Sequence, residues 1–92
     1  MKTHHISRQQ VAIYQAIRGR EKWLGSSEIA TIAGVNPRTT RDHLRRMALA
    51  GVAERVAMHP GHRYRLSLHT KEAKGYQARI EQAELVYDGL AG

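Results

Sequence analysis

Residues 26–52 read SSEIATIAGVNPRTTRDHLRRMALAGV, and they place Arg38, Arg41, Arg45 and Arg46 within nine residues, directly after an Asn-Pro step. Proline biases Asn36 away from the helical region, as an N-cap needs, and itself fits the first helical position, where no N–H bond is lost. A helix therefore starts at Pro37 and runs to Gly51. Projected at about 100° per residue, Thr40, Leu44, Met47 and Ala48 form one apolar stripe. Arg38, Asp42, Arg45, Arg46 and Leu49 lie on the far side, with Thr39 and His43 at one margin and Arg41 at the other. A merely solvated helix would pair Asp42 with Arg38 and Arg46 at i±4. One acid cannot serve four arginines, so this face suits an anionic partner.

Composition narrows the classes of function. The chain has 92 residues, 41% of them hydrophobic, which fits one small globular domain. No apolar run approaches the roughly 18 residues of a membrane span, and the first ten residues lack the apolar core of a signal peptide. The absence of cysteine excludes disulfides and thiolate metal chemistry. A cytoplasmic location without membrane contact is expected. The net charge of +7 is uneven: residues 1–69 hold twelve Lys and Arg against four acids, whereas residues 70–92 hold three against four. A basic body of this kind is the electrostatic footprint of a nucleic-acid binder.

Punctuation around the opening stretch sets the organisation. Ser7 and Gln10 fit a capping box, with Ile6 and Val11 as its hydrophobic staple. A first helix follows through Val11, Ile13, Tyr14 and Ile17 and stops near Gly19. Trp23-Leu24 reads as a short extended piece. Ser26 or Ser27 is predicted to cap a second helix, with Glu28 in its first turn and Gly34 just past its end. After Gly51 the period changes. Val52, Glu54, Val56 and Met58 share one parity, so Glu54 interrupts an otherwise apolar face, while Tyr64-Arg65-Leu66-Ser67-Leu68 alternates cleanly. His59-Pro60-Gly61-His62 lies between, with Pro at i+1 and Gly at i+2 of a type II turn. Thr70 can cap a last helix.

The pattern EIA, GVNPRTTRDHLRRM, GV and ER, followed by a Pro-Gly hairpin and YRL, resembles the winged helix-turn-helix superfamily. It is most similar to small prokaryotic regulators of the MarR, ArsR and DeoR type. Ala30 and Gly34 match the small residue and turn glycine. Thr39, His43 and Leu44 match a frequent Thr-Val-x-x-His-Leu, with Thr40 in place of valine, and Gly51-Val52 matches the entry to the wing. The likeness covers residues 7–68.

It implies an α+β, mostly helical fold: a three-helix core with a short strand and a hairpin wing over residues 1–69, then a C-terminal helix over 70–92. It further implies a transcriptional regulator, a repressor, of double-stranded DNA, with helix 37–50 in the major groove and wing 52–68 on adjacent backbone or minor groove. Arg38, Arg41 and Arg45 would contact guanine or phosphate, with Arg46 on the same face. Asp42 would steady its arginine neighbours or accept from cytosine N4. Ser26, Ser27, Asn36, Pro37 and Thr39 fall at helix starts, where hydroxyl and N–H groups meet phosphates. His59, His62 and Arg63 would carry the wing contact.

Rival readings have weaker support. His59-x-x-His62 could begin a metal site completed by His4-His5 or His69, but few acids lie near and polar wing residues explain it more simply. No nucleophile-base pair or phosphate loop points to an enzyme, and neither a cofactor nor a small-molecule effector is expected. The last helix carries Ala73, Tyr76, Ile80, Ala83, Tyr87 and Leu90 at spacings 3, 4, 3, 4, 3. That spacing predicts a seam between two copies of the chain; the alternative is packing on the first helix. The same chemistry would also serve DNA replication or plasmid or phage maintenance, and a protein-interaction winged helix would instead dock an acidic partner.

Overall fold

Ser7 starts the first helix as its capping box predicts. In the computed structural model, which describes residues 6–20, 22–58 and 61–91, α1 spans Arg8–Ile17. Ser7 Oγ accepts from the Gln10 N–H at 3.2 Å, and Gln10 Oε1 accepts from the Ser7 N–H at 2.8 Å. Two donors at the helix start are thereby satisfied. Val11, Ile13, Tyr14, Ala16 and Ile17 face the core.

Strand β1 (Leu24–Gly25) leads directly into α2 (Ser26–Ala33). The cap of α2 is Gly25, and both predicted cap serines lie inside the first turn. The reason is Glu28, whose Oε1 reaches back to the Gly25 N–H at 3.1 Å. Gly34 then ends the helix at φ 69°, in the left-handed region that glycine adopts without steric cost.

Helix α3 (Pro37–Leu49) begins as the Asn-Pro step predicts. Asn36 Oδ1 accepts from the Arg38 N–H at 2.8 Å and the Thr39 N–H at 3.4 Å. Thr40, Leu44 and Met47 are buried and Ala48 half-buried, so the predicted stripe faces inward. The Thr40 hydroxyl is fully buried, and no group among the described residues completes a hydrogen bond to it.

Strands β2 (Ala53–Ala57) and β3 (His62–Leu66) form the hairpin, and the antiparallel sheet has the order β1-β3-β2. Two details differ from the sequence reading. Met58 N–H donates to the Gly61 carbonyl at 2.8 Å, and Ala57 pairs with His62. Gly61, expected at the centre of the turn, is thus bonded across the ladder to Met58. Gly61 stands at φ 86°, in the left-handed region that glycine adopts without steric cost. His59 and Pro60 lie outside the described residues. The second difference is parity. Ala53 turns to the core, while Val56 is 38% and Met58 49% exposed. Glu54 breaks no apolar face; it pairs with Arg65 across the ladder.

Helix α4 (Lys71–Ala91) is tied down at its start by Thr70. Thr70 Oγ1 accepts from the Ala73 N–H at 2.9 Å and donates to the Gly51 carbonyl at 2.8 Å. The helix then packs on α1. The Tyr14 and Tyr76 rings lie 5.7 Å apart, Glu84 holds Arg18 and Gln15 at 2.8 Å and 2.6 Å, and the Tyr87 hydroxyl donates to the Ile6 carbonyl.

Most residues of the expected seam pack within the chain itself. Ala73, Tyr76 and Ile80 are buried in the chain's own core, and Ala83 and Tyr87 are half-buried against it. Their apolar surface is already covered by α1 and the residues around it. The Leu90 side chain lies outside the described residues. A three-helix body of this size exposes one apolar face too many, and α4 closes it.

Two outcomes follow from this packing. Ile80→Ala leaves a cavity in the core and is expected to cost about 2–5 kcal/mol, with a melting temperature equally lowered at every protein concentration. Thr40→Val keeps the shape and removes the unbonded hydroxyl. A gain of about 1–2 kcal/mol is expected, read as a higher denaturant midpoint at unchanged slope.

Candidate nucleic-acid interface

The exposed face of α3 follows from its buried one. With Thr40, Leu44 and Met47 turned inward, Arg38, Arg41, Asp42, Arg45 and Arg46 all stand in solvent. Among the described residues the ion pairs are Arg18–Glu84, Arg63–Glu28 and Arg65–Glu54. None involves α3, and the expected steadying pairs of Asp42 with Arg38 and Arg46 do not form. Four guanidinium groups therefore stand along one helix face without a carboxylate partner among the described residues, which leaves their donors available to phosphate or to guanine.

The predicted residues at the helix starts lie at or near the surface. Ser26 is half-buried and Ser27 exposed at the beginning of α2, while the Ser27 carbonyl accepts from Thr31 Oγ1 at 3.0 Å. Asn36 uses Oδ1 for the cap, and Pro37 is exposed at the first position of α3. Thr39 is half-buried at the margin of the arginine face.

The hairpin divides its predicted residues. His62 is exposed at the start of β3, and His59 lies outside the described residues. Arg63 is half-buried next to it, held by Glu28 Oε1 at 3.0 Å. The structure also brings forward Arg55 on β2, exposed and without an acid partner among the described residues. The sequence reading weighted the turn and passed over Arg55. Only the strand register, which sets Arg55 opposite Tyr64 and Glu54 opposite Arg65, separates the paired arginine from the unpaired one.

His43 sits where α3 meets α4. With Arg46, Met47, Glu72, Tyr76 and Arg79 it lines a groove of about 440 Å³. Burial, reinforced by the Arg46 charge and partly opposed by Asp42, holds its pKa below the usual 6.5. The folded chain thus binds this proton less readily than the unfolded chain. Stability from this source is complete above 6.5 and is lost as pH falls toward the lowered value. Melting curves across this range should show His43→Gln losing less stability on acidification than the parent chain.

Among the described residues no three His, Cys, Asp or Glu side chains gather as a metal would require. His4, His5 and His59, which the metal reading invoked, lie outside those residues. No helix among the described residues is long and apolar enough to cross a membrane.

Comparisons with known proteins bear on the fold. No protein-family model matches the sequence, and no curated protein matches it. Among solved structures, a MarR family transcriptional regulator from Silicibacter pomeroyi is similar at TM-score 0.63 and 18% identity, over 88% of this chain and 50% of that one. The ST1889 protein from the thermoacidophilic archaeon Sulfolobus tokodaii is similar at TM-score 0.56 and 16% identity, over 95% of this chain and 84% of that one. The chain thus spans about half the length of the first of these structures. With its helical core, antiparallel sheet and hairpin, the chain has the winged helix-turn-helix fold.

Proposed function

We propose that the chain is a sequence-specific, double-stranded-DNA-binding transcriptional regulator that inserts α3 into the major groove. The observation that carries this reading is the row of Arg38, Arg41, Arg45 and Arg46, exposed, without acid partners among the described residues, and opposite a buried stripe. A helix of this kind, presented by a compact body, matches the width of the major groove. The name of the similar Silicibacter pomeroyi structure, a transcriptional regulator, supports the same reading. Repression by occupying a promoter is the simplest output for a domain that binds without catalysing.

Palindromic DNA calls for two copies related by a two-fold axis. The outer face of α4, where Leu85 is 75% and Val86 60% exposed, is the surface we assign to that contact in place of the inward stripe. Binding of each half-site would then be strengthened through effective concentration.

A salt titration of duplex binding tests the reading. The logarithm of the affinity should fall linearly with the logarithm of salt, with a slope of several units. Arg41→Ala or Arg38→Ala should cost about 1–3 kcal/mol and relax preference at one base position. A salt-insensitive chain that ignores duplex DNA and captures an acidic protein instead would overturn it.

A further inference from the structure

The arginines of the hairpin fall into two groups. On the central strand β3, Arg63 Nη1 lies 3.0 Å from Glu28 Oε1, and Arg65 Nε lies 2.6 Å from Glu54 Oε1. Arg65 also covers the Trp23 ring, 4.4 Å from its centroid. On the edge strand β2, Arg55 is exposed, and no acid among the described residues pairs with it. Residues opposite one another in an antiparallel ladder share a face, and successive residues alternate. Arg55 therefore shares a face with Tyr64, while both ion-paired arginines stand on the other face.

Glu28 does two things with one oxygen. Its Oε1 accepts from the Gly25 N–H at 3.1 Å while it holds Arg63. The carboxylate is thus anchored to the start of α2 independently of Arg63. A phosphate approaching Arg63 meets a fixed negative charge, and drawing Arg63 away would leave that charge uncompensated beside the duplex. Arg55 presents no such obstacle.

We propose that Glu28 withholds Arg63 from the duplex and that Arg55 is the cation by which the hairpin engages a phosphate. The inference rests on the duplex-binding reading above and refines its wing. The Arg63–Glu28 pair is about half-exposed, and pairs of that kind contribute little to stability. Its consequence is electrostatic. A neutralised arginine adds nothing to counterion release, whereas each free cation that meets a phosphate adds about 0.9 to the salt slope.

The test uses the full chain and one mixed-sequence duplex, with binding followed by fluorescence anisotropy over a salt series. Arg55→Gln should lower the slope by about 0.9, and Arg63→Gln should leave it unchanged. Glu28→Gln retains an acceptor for the Gly25 N–H, frees Arg63, and should raise the slope by about 0.9. Between about 50 and 200 mM salt, that difference is a roughly three- to four-fold change in relative affinity. The double variant Glu28→Gln, Arg63→Gln should return to the parent slope. Slope is the deciding quantity, because an uncovered Glu28 charge in Arg63→Gln can shift affinity without changing the number of phosphates contacted. An unchanged slope in Arg55→Gln, a lowered slope in Arg63→Gln, or no rise in Glu28→Gln overturns the proposal. A parent chain that shows no salt-dependent duplex binding would overturn the duplex reading itself.

Discussion

The burial of a narrow stripe on α3 is the constraint from which the candidate interface follows. Leu44 has no exposed surface, and Thr40 and Met47 lie above and below it along the helix. Burying a leucine contributes about 1.5–3 kcal/mol, so rotating α3 to hide its arginines would expose Leu44 and leave charges in the core. The Asn36 cap fixes where the helix begins, and the stripe fixes which way it faces. Arg38, Arg41, Arg45 and Arg46 have no orientation left except outward.

The fourth helix matters for a different reason. Ile13 and Ile17 of α1, Leu44 of α3 and Ile80 of α4 are all fully buried in one cluster. A domain of this length has little apolar area in reserve, and α4 supplies part of it. Its inner contacts are specific as well as apolar. Arg18 donates to Glu84 through two nitrogens, a pairing that holds the Glu84 carboxyl below its ordinary pKa. Hence α4 belongs to the body.

Charge count and charge availability are separate properties in this molecule. The chain carries a net +7, yet Arg18, Arg63 and Arg65 are each answered by a carboxylate. Those pairs join elements: α1 to α4, β3 to α2, and β3 to β2. The arginines of α3 join nothing among the described residues. The same residue type thus serves as framework in one place and as candidate recognition surface in another, and its neighbours decide which.

Much of this was legible in the sequence because it is local. The capping box at Ser7, the Asn36-Pro37 start, the left-handed glycines and the α3 stripe all depend on residues within a turn of one another, where short-range sterics and hydrogen bonding dominate. The winged-helix resemblance rested on the motifs these elements carry, from EIA and GVNPRTTRDHLRRM to YRL. What the sequence left open involves partners far apart along the chain. A stripe at spacings of three and four suits a seam between copies or a fit against α1, and only the presence of Tyr14, Ile17 and Arg18 opposite it decides for the latter. Whether Asp42 or Glu28 would hold an arginine could not be read from spacing. Asp42 has arginines four residues to either side and pairs with neither, whereas Glu28 finds Arg63 thirty-five residues away. The hairpin register likewise sets Glu54 against Arg65 and leaves Arg55 without an acid partner among the described residues. The sequence by itself determined where the helices start and stop and which side of α3 is apolar, since those choices are made within a few residues. Tertiary structure decided which cations stay unneutralised and where the last helix lies, since both depend on surfaces that meet only when distant segments are packed together.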